Sequence, residues 1–176
     1  NPDEIVARPH YFGSLMVQYG QADAVVGGNK ELPAAFFRAL LHTIKPLPTV
    51  PKIFGVSILT GDHLQHLGGD GILFMADTGL NPNPDVSELA AIAIETGKLA
   101  HHFLGRKANV AMLSHSTKGS ASTPDALRML AATSLAQSQA LKDFLSHFST
   151  QKFVSVKCPT LFFIEAFCGC FSNIVQ

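Results

Sequence analysis

Apolar positions along this chain recur at two spacings. Phe12, Leu15, Met16 and Tyr19 repeat at helical spacing, and Gly20 follows where a helix commonly ends in a left-handed cap. The stretch ADAVVGG, residues 22–28, predicts a brief buried strand ending in two glycines. Pro33 then opens a second helical run of Phe36, Phe37, Leu40, Leu41 and Ile44. KPLPTVP, residues 45–51, reads as a connector, because its prolines fit neither a helix interior nor a central strand. KIFGVSIL (52–59) and GILFMAD (71–77) predict two strands, and the glycines and aspartates of TGDHLQHLGGD between them allow a β-hairpin. After NPNP (81–84), Asp85 with Glu88 three residues on forms a capping box; Leu89, Ile92, Ala93, Thr96, Ala100 and Phe103 mark the inward stripe of the helix it opens. Val110 to Leu113 predicts a strand. Thr123 and Pro124 start another helix, with Leu127, Leu130, Ala131, Leu135 and Leu141 expected inward. Strands alternating with helices predict an α/β layered sheet.

Composition narrows the function classes. The chain has 176 residues, of which 47% are hydrophobic and 15% charged, with 13 basic against 13 acidic side chains. That balance leaves no electrostatic footprint for nucleic acid. The opening NPDEIVARPHYF carries two acids and no apolar run, which reads as neither a signal nor a transit peptide and makes the cytoplasm the default expectation. Cys158, Cys168 and Cys170 match neither a disulfide framework nor a zinc site, so reduced thiols are expected. Pro159, Glu165, Gly169 and Asn173 interrupt the apolar run they sit in, so no membrane span is expected there. Texture changes near Phe144: from there to the end come seven of the thirteen Phe and all three Cys, with Lys152, Lys157 and Glu165 the only charged side chains. The expected division is a domain over 1–143 and a divergent apolar tail over 144–176.

VAMLSHSTKGSAS, residues 110–122, carries the chemistry. A buried strand running into small polar residues and then a helix puts N–H groups and hydroxyls at the carboxyl edge of a sheet, where α/β proteins place ligands. Helix-start N–H groups, glycine at close approach and the charge of Lys118 suit an anion. The same residues also suit a plain turn that caps the next helix, and the pattern is not a G-x-x-x-x-G-K-[ST] loop.

VAMLSHSTKGSA resembles the phosphate acetyltransferase and butyryltransferase family, and the resemblance extends through YFGSLMVQYGQADAVVGG, GILFMADTGLNPNP and SELAAIAI in the family's order, over residues 10–140. It implies a three-layer α/β sandwich with a mixed β-sheet, the phosphotransacetylase (isocitrate/isopropylmalate dehydrogenase-like) fold. It also implies transfer of an acyl group between coenzyme A and inorganic phosphate. Acetyl-CoA or CoA, and phosphate or acetyl phosphate, are then the partners. Coenzyme A is a substrate, no cofactor or metal is required, and the intact family forms homodimers. By the resemblance Ser114, Ser116, Thr117, Lys118, Gly119 and Ser120 hold the phosphoryl group. Arg38 keeps the offset of a family arginine that follows a Val-Ser-Gly turn in a Ser-Asp-Thr-x-Arg-Pro context, and a planar charged fork suits phosphate. Ala35, Phe36 and Ala39 stand where that motif has Asp, Thr and Pro, and Gly27 where its turn has Ser; a solvated arginine on an amphipathic helix is the alternative.

Other candidates carry less. His63 with His66, or His101 with His102, lack the carboxylate or cysteine partners of a metal site and read as polar surface. GGDG, residues 68–71, reads as a turn, and Asp77 as either a wall of the cleft or a structural turn acid. One rival function is acetyl-CoA sensing, as in the C-terminal domain that the large bacterial malic enzymes share with this fold; another is a plain scaffold. NPNP and MLSHSTKGS sit nearer the acetyl than the butyryl branch. The family's Asp-Gly-x-x-Gln-x-Asp segment and its Ser-Arg-Gly motif with a following aspartate are not found in these residues, which suggests an altered frame or truncated gene. The catalytic base is therefore unassigned, and little turnover is expected from this polypeptide alone.

Overall fold

The computed structural model describes residues 1–27, 32–46, 50, 52–65, 69–114, 121–140, 145–152 and 164–168, the last two segments as backbone. Packing divides the chain into two units, the first holding three helices and the second running from the first strand to the last.

In the first unit, α1 (Pro2–Val6) is capped by Asn1, whose side chain accepts from Asp3 N–H at 3.2 Å. α2 (Pro9–Gln18) starts on proline, whose missing N–H would be unpaired at that position anyway. It ends as expected at Gly20, φ 70°, where Gly20 N–H donates to Val17 O (3.1 Å) and Gln21 N–H to Met16 O (2.8 Å), a Schellman cap. α3 (Pro33–Thr43) packs against α2, and Tyr11 Oη lies 3.1 Å from His42 Nδ1 between them. Ala39 and Leu40 are the buried positions of α3, whereas Leu41 is half exposed.

The strand expected over 22–28 does not form in 22–27. None of the described strands pairs with this segment, and Val26 is 97% exposed. Two valines cannot hold an extended backbone whose N–H and C=O groups lack a ladder. Gly28 lies outside the described residues, as does most of the proline-rich connector.

The second unit begins with the hairpin read from the sequence. β1 (Phe54–Thr60) pairs antiparallel with β2 (Ile72–Ala76), from Val56 opposite Ala76 to Thr60 opposite Ile72. The turn closes where Gly61 N–H donates to Gly71 O at 2.9 Å. Gly71 is required there: its φ is +69°, and a Cβ would stand 2.5 Å from Gly61 O. β5 (Ile164–Cys168) covers the other edge of β1, also antiparallel. A second sheet joins β3 (Ala108–Ser114) in parallel to β4 (Leu145–Lys152), with Ser114 opposite Lys152. Both β4 and β5 come from the 144–176 segment.

α4 (Val86–Leu104) carries the expected capping box. Asp85 Oδ1 accepts from Glu88 N–H at 2.8 Å, and Glu88 Oε2 accepts from Asp85 N–H at 2.9 Å. It ends at Gly105, φ 64°, in the left-handed conformation. Its stripe Ile92, Ala93, Thr96 and Ala100 is buried, but Ala90, Ile94, Gly97 and Leu99 are too, because α4 is packed against β2, β3 and α5 at once. Phe103 is instead 58% exposed, its ring 6.2 Å from that of Phe74 at the rim.

α5 (Pro124–Gln139) begins as expected: Thr123 Oγ1 accepts from Ala126 N–H at 3.4 Å, and Pro124 is the first helical residue. Its inward stripe differs from the expected one. Ala126, Ala132, Thr133 and Ala136 are buried, while Leu127, Leu130 and Ala131 face outward; Leu135 is partly buried and Leu141 lies outside the described residues. Close contact with α4 is the reason. Ala132 and Ala136 share one core cluster with Ala90 and Ala93, and side chains this small let the two helices approach where leucine would hold them apart. None of the described helices is long and apolar enough to cross a membrane.

Candidate functional site

Ser114 closes β3, and α5 opens ten residues later, so a strand end and a helix start flank the serine-rich run. Ser116, Thr117, Lys118, Gly119 and Ser120 lie outside the described residues. Ser114 itself is half-buried and lines a cleft of about 220 Å³ with Pro84, Leu89, Leu113, Asp125, Arg128 and Met129.

Among the described residues, the cation lining this cleft is Arg128, which sequence reasoning missed. One Nη donates to Asn83 Oδ1 in the loop ahead of α4, and the other reaches Asp125 Oδ1 at 2.8 Å one turn back on α5. A guanidinium held at both ends of its fork is oriented before any ligand arrives. Two sequence signals pointed to it: an Asp-x-x-Arg spacing in the first turns of the helix after the serine-rich turn, and NPNP, which supplies Asn83.

Asp77 follows β2 in the left-handed conformation, φ 54°, and is not among the residues lining the cleft. Its carboxylate accepts from Asn81 N–H (3.2 Å) and Asn81 Nδ2 (3.1 Å), and its own N–H donates to Gly55 O at 2.7 Å. Burial, the largest influence, pushes its pKa up against the opposing hydrogen bonds from Asn81 and the charge of Lys52. These contacts are those of a turn acid.

Arg38 belongs to the first unit. It lies on the exposed face of α3, one helical turn before His42, and makes no ion pair with the described residues. Two departures from the family motif lie in contact. The ring of Phe36 lies over Gly27, where a Cβ would come within 2.7 Å of Phe36 Cε2. A serine at 27 and this phenylalanine compete for the same space.

The histidines are engaged locally. His101 Nδ1 lies 2.8 Å from Arg106 O, His102 meets Phe103 edge-on, and the ring of His63 lies against Gly61. His66 lies outside the described residues. Among the described residues no three His, Cys, Asp or Glu side chains converge as metal ligands would.

The sequence model of the family described as phosphate acetyl/butaryl transferase matches residues 2–145. A phosphate acetyltransferase of Staphylococcus epidermidis is 35% identical over 144 residues, 82% of this chain and 41% of that protein. One of Thermoanaerobacterium thermosaccharolyticum is 35% identical over 127 residues, 72% of this chain and 38% of that protein. Among solved structures, a phosphotransacetylase from Streptococcus pyogenes superposes with a TM-score of 0.72 at 29% identity, covering 89% of this chain and 45% of that one. The EutD phosphotransacetylase from Staphylococcus aureus gives 0.64 at 33% identity, covering 85% of this chain and 43% of that one. The chain thus spans about two fifths of the length of the curated relatives it matches. With β3, the serine-rich run and α5 inside the matched segment, and an α/β architecture like that of the solved phosphotransacetylases, the chain belongs to the phosphate acetyl/butaryl transferase family.

Proposed function

We propose that this chain carries the phosphate side of a phosphate acetyltransferase, which transfers an acetyl group reversibly between coenzyme A and inorganic phosphate. The observation that supports this most directly is the position of Ser114: it ends β3 beside a cleft, and it is the first residue of the sequence that matches the family's Ser-x-Ser-Thr-x-Gly-Ser run. In the direction of acetyl-CoA synthesis, the coenzyme A thiolate attacks the carbonyl carbon of acetyl phosphate. The resulting oxyanion collapses, the C–O bond to the phosphoryl group breaks, and inorganic phosphate leaves. The hydroxyls of Ser114, Ser116, Thr117 and Ser120, the N–H of Gly119 and the cations Lys118 and Arg38 are the proposed phosphoryl ligands. Their work is to position the acyl phosphate beside the thiol and to take up charge on the departing phosphate. Coenzyme A is a substrate, neither a metal nor a further cofactor takes part, and the intact enzyme is a cytoplasmic homodimer.

Calorimetric titration of the purified chain with inorganic phosphate tests the site. Charge-assisted hydrogen bonds contribute about 1.5–3 kcal/mol each, so Arg38→Ala and Lys118→Ala are each expected to weaken phosphate roughly tenfold or more. Unchanged affinity in both variants would remove the assignment.

A further inference from the structure

We propose that the cleft at the end of β3 is the acyl pocket, with Leu89, Leu113 and Met129 setting the acyl chain length and Arg128 holding an oxygen of the acyl phosphate. This rests on the acyl-transfer reading above, and adds to it the residues that choose the substrate.

The lining is amphipathic in a way that inorganic phosphate alone does not require. Pro84, Leu89, Leu113 and Met129 supply an apolar wall, while Ser114 and Arg128 supply donors at the same opening. A ligand that satisfies both has an anionic head and a short aliphatic tail. At about 220 Å³ the cleft lies below the roughly 300–1,000 Å³ of pockets for drug-sized ligands and suits an acyl phosphate of a few carbons.

Arg128 is prepared for the head group. Of the five N–H donors of a guanidinium, its bonds to Asn83 and Asp125 use two and fix the plane of the fork. The carboxylate of Asp125 is 72% exposed and paired with Arg128, so its charge is screened by water and by its partner. Little side-chain freedom is left to lose when an anion binds. Met129 faces the tail, and its unbranched thioether adapts to small changes in ligand length.

The test is calorimetry of the chain with inorganic phosphate, acetyl phosphate and butyryl phosphate, on the unaltered sequence and on Met129→Ala, Leu113→Ala and Arg128→Ala, with thermal melts to confirm folding. Pockets of this kind discriminate about tenfold or more per methylene. Widening the wall is therefore expected to raise the butyryl-to-acetyl affinity ratio at least about fivefold, while inorganic phosphate binds as before. Arg128→Ala is expected to weaken both acyl phosphates roughly tenfold and to leave their ratio unchanged. Leu113 is 42% exposed, so its variant carries the test if Met129→Ala does not fold. An unchanged ratio in the folded widened variants, with phosphate and acyl phosphates still bound, overturns the pocket and leaves the phosphate site standing. Undiminished acyl phosphate affinity in Arg128→Ala overturns the role of Arg128. Failure of all three ligands to bind removes the acyl-transfer reading and this inference with it.

Discussion

Asp77 and Asn81 are joined twice, through the backbone N–H and the side-chain amide of Asn81, and the same amide donates to Ile53 O at 3.0 Å. The turn after β2 is thereby fastened to the residue before β1. Asp77 sits at φ 54°, a conformation that Asn and Asp tolerate and alanine does not. Asp77→Asn keeps the conformation and an acceptor oxygen, whereas Asp77→Ala loses both and is expected to cost about 1–2 kcal/mol. Burial raises the folded pKa of Asp77 above its unfolded value. The native state then holds the proton more readily than the unfolded chain, so this group's contribution falls as pH rises from the ordinary Asp value through the raised one. Urea midpoints between about pH 4 and 7 should show Asp77→Asn gaining on the parent as pH rises. An Asn variant as unstable as the Ala variant at neutral pH would contradict this.

The capping box titrates in the opposite sense. The N–H of Glu88 and the hydroxyl of Ser87 hold Asp85 below its usual pKa, and the bond from Lys52 followed by that from Asp85 N–H does the same for Glu88. Folded values below unfolded ones give stability that is present above the ordinary carboxylate range and lost as pH falls through the depressed values. Asp85→Ala should therefore destabilise the chain at neutral pH, and its deficit against the parent should shrink in acid. A deficit that stays constant from pH 7 downward would place the effect outside these carboxylates.

The seam between α4 and α5 gives a sharper contrast. Ala132 and Ala136 are fully buried, while Leu127 and Leu130 are about half exposed. Ala132→Leu overfills a tight seam and should cost about 1–3 kcal/mol or more. Leu130→Ser should change stability by no more than about 0.5 kcal/mol, as an outward substitution does. Denaturant melts that reversed this order would restore the leucine stripe to the interior.

These contrasts locate what the sequence could and could not reveal. Asp85 with Glu88, Gly20 and Pro124 act through local backbone chemistry, so these caps could be read without knowing any neighbour. The hairpin of β1 and β2 was legible because two apolar runs flank a glycine-rich turn. On α5, two apolar stripes compete at helical spacing, one of leucine and one mostly of alanine. Choosing between them needs the approach distance of α4, which no periodicity contains. The segment 22–27 failed for a related reason, since a strand exists only with a partner. The strand that leads to Ser114 was legible from its apolar run, but Arg128 gains its meaning from Asn83, forty-five residues away.

Gly27 and Phe36 should behave as a coupled pair. With Phe36 in place, Gly27→Ser forces the ring from its position, at a cost of about 0.5–1.5 kcal/mol for an off-rotamer side chain. With Phe36→Thr, the residue type of the family motif, the same serine should be tolerated. A double-mutant cycle read by thermal melts should give a coupling of at least about 0.5 kcal/mol. Additive effects would mean that the two departures from the motif arose independently.

Turnover by the 176-residue polypeptide should be slow. Acetyl transfer to coenzyme A needs the thiolate, and an unperturbed thiol has a pKa of about 8.5. At neutral pH only a few per cent is ionised without a positioned base. The family's Ser-Arg-Gly motif and the aspartate after it are not found in these residues. Of the described carboxylates with a resolved pKa shift, Asp77 is the one moved toward neutrality, and its oxygen is held in a turn by Asn81 rather than directed into the cleft. Binding of acetyl phosphate is therefore expected without efficient transfer. Steady-state synthesis of acetyl-CoA from acetyl phosphate and coenzyme A should run well below the roughly 10 per second of an ordinary enzyme. A rate at that level would show that these residues supply a base after all. Retained activity in Asp77→Asn would then place that base elsewhere in the chain.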